Sequence, residues 1–72
     1  MGDTTLMRNI TFDFNNVEDC NEAANELHIQ LSYDWRFNDT CIVLYAENLG
    51  NTVNFEKAYR ICKMCNGKPR NY

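Results

Sequence analysis

The sequence predicts an α+β fold in the order β-α-β-β-α, a three-stranded sheet with both helices on one face. Three observations carry that prediction. Apolar residues alternate with polar ones at Ile10, Phe12 and Phe14, and again at Ile29, Leu31, Tyr33, Trp35 and Phe37, which is the period of a strand. They recur at helical spacing at Val17, Cys20, Ala24 and Leu27, and at Phe55, Ala58, Tyr59, Cys62 and Cys65. Asn38-Asp39-Thr40 then separates the second alternating run from a continuous apolar run over 41–46, as a hairpin turn does.

The elements follow in order. The first strand is expected over 6–14, with Asn9, Thr11 and Asp13 on its polar side. Asn15-Asn16 is cap chemistry and opens a first helix of about ten residues, with Ala23 beside its apolar stripe. The second strand is expected over 29–38. The third, apolar on both faces, belongs in the middle of the sheet, because an edge position would expose it to aggregation. This gives a preferred sheet order of 1-3-2, with 3-2-1 as the alternative. A right-handed crossover joins the first two strands and makes them parallel. Asn48-Leu49-Gly50-Asn51 reads as a loop, the second helix starts near Thr52 or Val53, and Asn66-Gly67 with Pro69 stops it. One compact domain over 1–72 is expected, with 1–5 and 68–72 frayed.

Composition narrows the function classes. A chain of 72 residues and 8.5 kDa has room for one small core and no deep multi-element active site. At 44% hydrophobic, with 3 Gly and 1 Pro, it is neither collagen-like nor disordered. The longest apolar run falls far short of a bilayer span, and the N-terminus lacks a signal-peptide pattern. A cytoplasmic location with four reduced thiols is therefore expected. Asn fills 11 of 72 positions, more than caps and turns require. Together with Lys, Ile, Phe and Tyr it draws on AT-rich codons, a composition expected of small acidic bacteriophage proteins.

The formal net charge of -3 is a difference between two unlike segments. Residues 1–50 carry nine acids and two bases, net -7; residues 51–72 carry five bases and one acid, net +4. Glu18, Glu22 and Glu26 stand at i, i+4 and i+8 on the first helix with Asp19 adjacent and no Lys or Arg on that helix. Like charges at that spacing cost a few tenths of a kcal/mol each. Two readings follow: the stripe meets a basic partner, or it pairs with Lys57, Arg60 or Lys63 of the neighbouring helix. Lys57, Arg60, Lys63, Lys68 and Arg70 are the candidate nucleic-acid contacts, although the acidic whole is unlike a nucleic-acid module.

The bare face of the sheet is a second candidate surface. Thr11 and Asp13 from the first strand, Gln30, Ser32, Asp34 and Arg36 from the second, and either Cys41/Val43/Tyr45 or Ile42/Leu44/Ala46 from the third would line it. A wet, unoccupied face, a homodimer interface and a protein-binding patch all fit such a surface. Cys62-Lys63-Met64-Cys65 is a CxxC, but the other ligand types, Cys20, Cys41 and His28, are single and scattered, so core thiols are expected rather than zinc or redox chemistry. His28 is expected to be a helix-end residue, with no catalytic residue, cofactor or metal.

The expected function is therefore that of a small acidic binding or inhibitor protein of phage origin. Its acidic helix would occlude a basic surface on a host factor or defence protein, with Tyr33, Trp35 and Tyr45 as aromatic anchors. The alternatives are a nucleic-acid-binding or regulatory module and a zinc- or redox-linked domain.

Overall fold

The computed structural model describes residues 9–70. Its elements are β1 (Asn9–Asp13), α1 (Val17–Leu31), β2 (Arg36–Asn38), β3 (Cys41–Tyr45), α2 (Ala46–Leu49), α3 (Thr52–Met64) and β4 (Lys68–Pro69). The four strands form an antiparallel sheet in the order β2-β3-β1-β4. The α+β class is as the sequence predicts, and β3 lies between β1 and β2, but the sheet has a fourth strand and a third, short helix.

The register fixes which residues face the helices. Ile10 stands opposite Leu44 and Phe12 opposite Ile42, so these four share one side of the sheet. They join Cys20, Ala23 and Leu27 of α1 and Ala58, Ile61 and Cys62 of α3 in one hydrophobic cluster, which places both long helices over that side. Phe12, Leu27, Ile42 and Leu44 are almost fully buried, each contributing roughly 1.5–3 kcal/mol of apolar transfer. The Phe12 and Tyr59 rings meet edge to face at 5.0 Å and tie β1 to α3.

Both long helices open on an asparagine. Asn16 Oδ1 accepts the Asp19 N–H at 2.8 Å, and Asn51 Oδ1 accepts the Asn54 N–H at 2.8 Å. Each satisfies one backbone donor that the first helical turn leaves free. Glu18 and Asp19 in the first turn of α1 complement its dipole.

Three departures from the sequence reading concern chain path. First, α1 runs to Leu31, so Ile29 and Leu31 are helical and the expected strand over 29–38 shrinks to Arg36–Asn38. Leu27 and Leu31 lie one turn apart, which continues the helical stripe. The helix ends at Ser32, in the left-handed conformation at φ 54°; its N–H reaches His28 O at 2.9 Å, and the Tyr33 N–H reaches Leu27 O at 3.2 Å.

Second, the stretch expected to be a loop holds α2, closed by Gly50 at φ 95°. Third, Lys68–Pro69, expected to fray, pairs with β1 as an edge strand, and the Arg70 N–H donates to Thr11 O at 2.8 Å. An edge is where a strand proline is tolerated. The expectations for 1–5, for the 6–8 part of the first strand and for 71–72 lie outside the described residues.

The turn into β4 depends on close approach. The Gly67 N–H donates to Cys62 O at 2.8 Å, and a Cβ there would stand 2.8 Å from both that oxygen and the Phe14 ring. Only glycine lets the chain pass between the end of α3 and Phe14.

Candidate functional site

The acidic stripe lies on α1 as its spacing requires. Glu18 and Glu22 are exposed, while Asp19 and Glu26 are half-buried. Glu22, Glu26 and Gln30 form one wall of a groove of about 370 Å³, and Ile61, Met64 and Cys65 of α3 form the other. Met64 is 78% exposed, so the groove has an apolar wall open to solvent. Gln30 donates to Glu26 Oε1 at 2.8 Å, and Asn66 donates to Asp19 Oδ2 at 3.4 Å.

Among the described residues no cation forms an ion pair with the stripe. Among the described residues the ion pairs are His28–Asp34 and Arg70–Asp13, and neither includes Glu18, Asp19, Glu22 or Glu26. Internal pairing with Lys57, Arg60 or Lys63, the second sequence-based reading, is not found there. Burial pushes the Cys65 thiol pKa up, and the carboxylates of Glu22, Glu26 and Asp19 add to that shift. The groove thus sets the carboxylates of Glu22 and Glu26 opposite its apolar wall.

The aromatic anchors divide. Tyr33 is 4% exposed and belongs to the core, not to an open surface. Its hydroxyl donates to Val43 O at 2.8 Å and accepts the Tyr45 N–H at 2.6 Å, so the phenol bonds two backbone groups of β3. Burial pushes its pKa up to about 12. Trp35 and Tyr45 do come together, edge to face at 5.6 Å, with Trp35 52% exposed.

Phe37, placed on the buried side by its alternation, is 67% exposed. It joins Asn9, Thr11, Val43, Tyr45 and Arg70 around a shallow hollow of about 230 Å³ on the open face. The open-face set of the central strand is therefore Cys41/Val43/Tyr45, because Ile42 and Leu44 face the helices. Gln30 and Ser32, expected on this face, sit in α1 and its cap instead. Arg36 turns toward α1 and donates to Asn21 Oδ1 at 2.6 Å.

A second cluster occupies the β1–β4 side of the open face. Arg70 donates to both Asp13 oxygens, at 2.6 and 3.1 Å, and holds that carboxyl below the usual carboxylate range. The Cys41 thiol donates to Asp13 Oδ1 at 3.1 Å; burial and this bond both raise its pKa. A neutral, donating thiol is a poor nucleophile.

The five candidate nucleic-acid contacts do not share one face. Lys57, Arg60 and Lys63 are exposed on α3 in the helical layer, and Arg60 and Lys63 border a groove of about 520 Å³ with Ile10, Phe55 and Tyr59. Lys68 shares its register position with Asp13 on the sheet, and Arg70 is committed to Asp13.

The CxxC lies within and just after α3, with Cys62 fully buried and pushed up to about 12 by burial. Cys20 is equally buried, and all four cysteines are free. Among the described residues no group of three His, Cys, Asp or Glu is placed to hold a metal ion. His28 occupies the last turn of α1, and its Nδ1 lies 2.9 Å from Asp34 Oδ1, both side chains exposed.

No helix among the described residues is long and apolar enough to cross a membrane. Comparison with protein-family models, curated proteins and solved structures finds no significant match to this chain.

Proposed function

We propose that this protein works by binding another protein, and that the groove between α1 and α3 is its recognition surface. The carboxylates of Glu22 and Glu26 would engage Lys or Arg of a basic partner while the exposed Met64 takes its apolar side chains. Glu18 extends the acidic stripe beyond the groove. Occlusion of a basic surface is the corresponding mechanism, as for a small inhibitor of phage type acting on a host factor.

The observation that carries the reading is the stripe, without an ion pair among the described residues, beside an apolar wall. A helix shaped for stability alone gains from Lys at i+4 to Glu, and none is present. Acidic steering speeds the encounter and makes it salt-sensitive. The anchor on this side is Met64 rather than Trp35 or Tyr45. Tyr45 sits on the opposite side of the sheet, and Trp35 lies beside Ala24 and Leu27 on the other flank of α1, away from the groove.

The test is a pull-down from a host lysate at low and high salt, with a Glu18→Lys/Glu22→Lys/Glu26→Lys variant as comparator. Captured proteins are then titrated as purified components. The triple reversal is expected to weaken binding by at least tenfold, about 1.4 kcal/mol. Equal capture by the variant, or capture indifferent to salt, removes the proposal. A gel shift at low salt with Arg60→Glu/Lys63→Glu as comparator tests the nucleic-acid alternative.

A further inference from the structure

We infer that the open face of the sheet is a self-association surface, and that its occupant is a second copy of this chain. This inference is independent of the binding groove, which lies on the other side of the molecule.

Three features point to a second copy. The centre of the face is apolar and aromatic: Val43 and Tyr45 lie between Thr11 on one side and the exposed rings of Trp35 and Phe37 on the other. Side-by-side exposed aromatics on a sheet are what a buried interface uses.

The charge of the face also suits self-contact. Its one carboxylate on β1, Asp13, is paired with Arg70, so the centre of the face brings no bare acid against its copy, and Lys68 lies at the β4 edge. A chain of net -3 repels its own copy over most orientations. Sheet-to-sheet contact turns the unpaired Glu18, Glu22 and Glu26 outward and keeps them farthest apart.

The third feature is area. The four strands contain fifteen residues. At about 3.4 Å along the strand and about 4.8 Å between strands, they project roughly 250 Å² per copy, to which the exposed Trp35 beside them adds. Two such faces lie at or below the lower edge of a specific interface. The dimer is therefore weak and concentration-dependent. It presents two outward acidic grooves, which gives a partner with paired basic sites an avidity gain.

Sedimentation velocity from about 5 to about 500 µM tests this, with half-association expected at tens of micromolar. Trp35 fluorescence should shift to the blue over the same range. Phe37→Glu/Val43→Glu, and the gentler single Phe37→Glu, should stay monomeric with unchanged far-UV circular dichroism. Glu22→Lys/Glu26→Lys should dimerise as the parent chain does. A parent chain monomeric at the highest concentration overturns the inference, as does a dimer that survives Phe37→Glu/Val43→Glu. A dimer lost only in Glu22→Lys/Glu26→Lys would place the contact in the groove and overturn it equally.

Discussion

Replacing Tyr33 by Phe removes one oxygen and tests whether a phenol completes the edge of β3. That oxygen donates to Val43 O at 2.8 Å and accepts the Tyr45 N–H at 2.6 Å. Each such bond contributes about 1 kcal/mol net, and a backbone group left unpaired in a buried setting costs about 1–3 kcal/mol. The ring is 4% exposed, so little water can replace the hydroxyl. The expected loss is about 2 kcal/mol, which lowers Tm by roughly 10 °C in a domain of this size.

Urea unfolding followed by Trp35 fluorescence measures it. Tyr59→Phe is the control, because Tyr59 makes a ring contact with Phe12 and no hydroxyl hydrogen bond among the described residues. The expected loss there is under about 0.5 kcal/mol. A second signature lies at high pH. Tyr33 titrates near 10 unfolded and at about 12 folded, so the unfolded chain loses its proton first. Stability from this group is complete below pH 10 and disappears as pH rises through about 12. Tyr33→Phe should flatten that part of the profile. Equal unfolding energies for Tyr33→Phe and Tyr59→Phe would refute the reasoning.

Other substitutions probe the turns and the buried thiol. Gly67→Ala places a methyl 2.8 Å from Cys62 O and from the Phe14 ring; since neither a carbonyl nor a packed ring can yield cheaply, chemical denaturation should show a loss of about 2–3 kcal/mol. Ser32→Gly should raise stability by about 0.5–1 kcal/mol, because Ser32 holds φ 54° without glycine's freedom; an unchanged Tm counts against strain there. Cys62 is pushed from 9.0 to about 12, so its contribution to stability is present below pH 9 and declines toward pH 12; Cys62→Ala should lose that slope, read by thermal melts across the range.

The helices were more legible than the strands for a reason of phase. An asparagine cap sets where a helix starts, and 3.6-residue spacing then assigns every later side chain. Asn16 and Asn51 open the helices where the sequence places them, and Ala58 and Cys62 are buried as their stripe requires. Alternation over 29–37 carries no such anchor. It needs unbroken extended backbone, and the chain breaks it twice, at the left-handed Ser32 and at the register shift between Arg36 and Asn38. Ile29 and Leu31 belong to α1 and strand geometry begins only at Arg36, so the alternation has no common backbone, and Tyr33 turns inward while Trp35 and Phe37 remain exposed. β4 left no pattern because two residues cannot show a period.

The same physics decides how the candidate surfaces read. The stripe of Glu18, Glu22 and Glu26 follows from spacing alone. Its apolar partner wall does not, because that depends on which flank of α1 meets α3. The groove sets Glu22 and Glu26 against Ile61, Met64 and Cys65, and the Asn66–Asp19 hydrogen bond joins the two elements at one end. The other flank of α1 is held toward β2 by Asn21–Arg36 and His28–Asp34. Each flank is therefore committed to a different neighbour, and the acidic side cannot rotate toward Trp35 without breaking both sets of contacts. A partner that reads charge must approach the helical layer, and one that reads the aromatics must approach the sheet. Separate variants of the two surfaces should accordingly have separable effects, Glu22→Lys/Glu26→Lys on salt-dependent binding and Phe37→Glu on self-association.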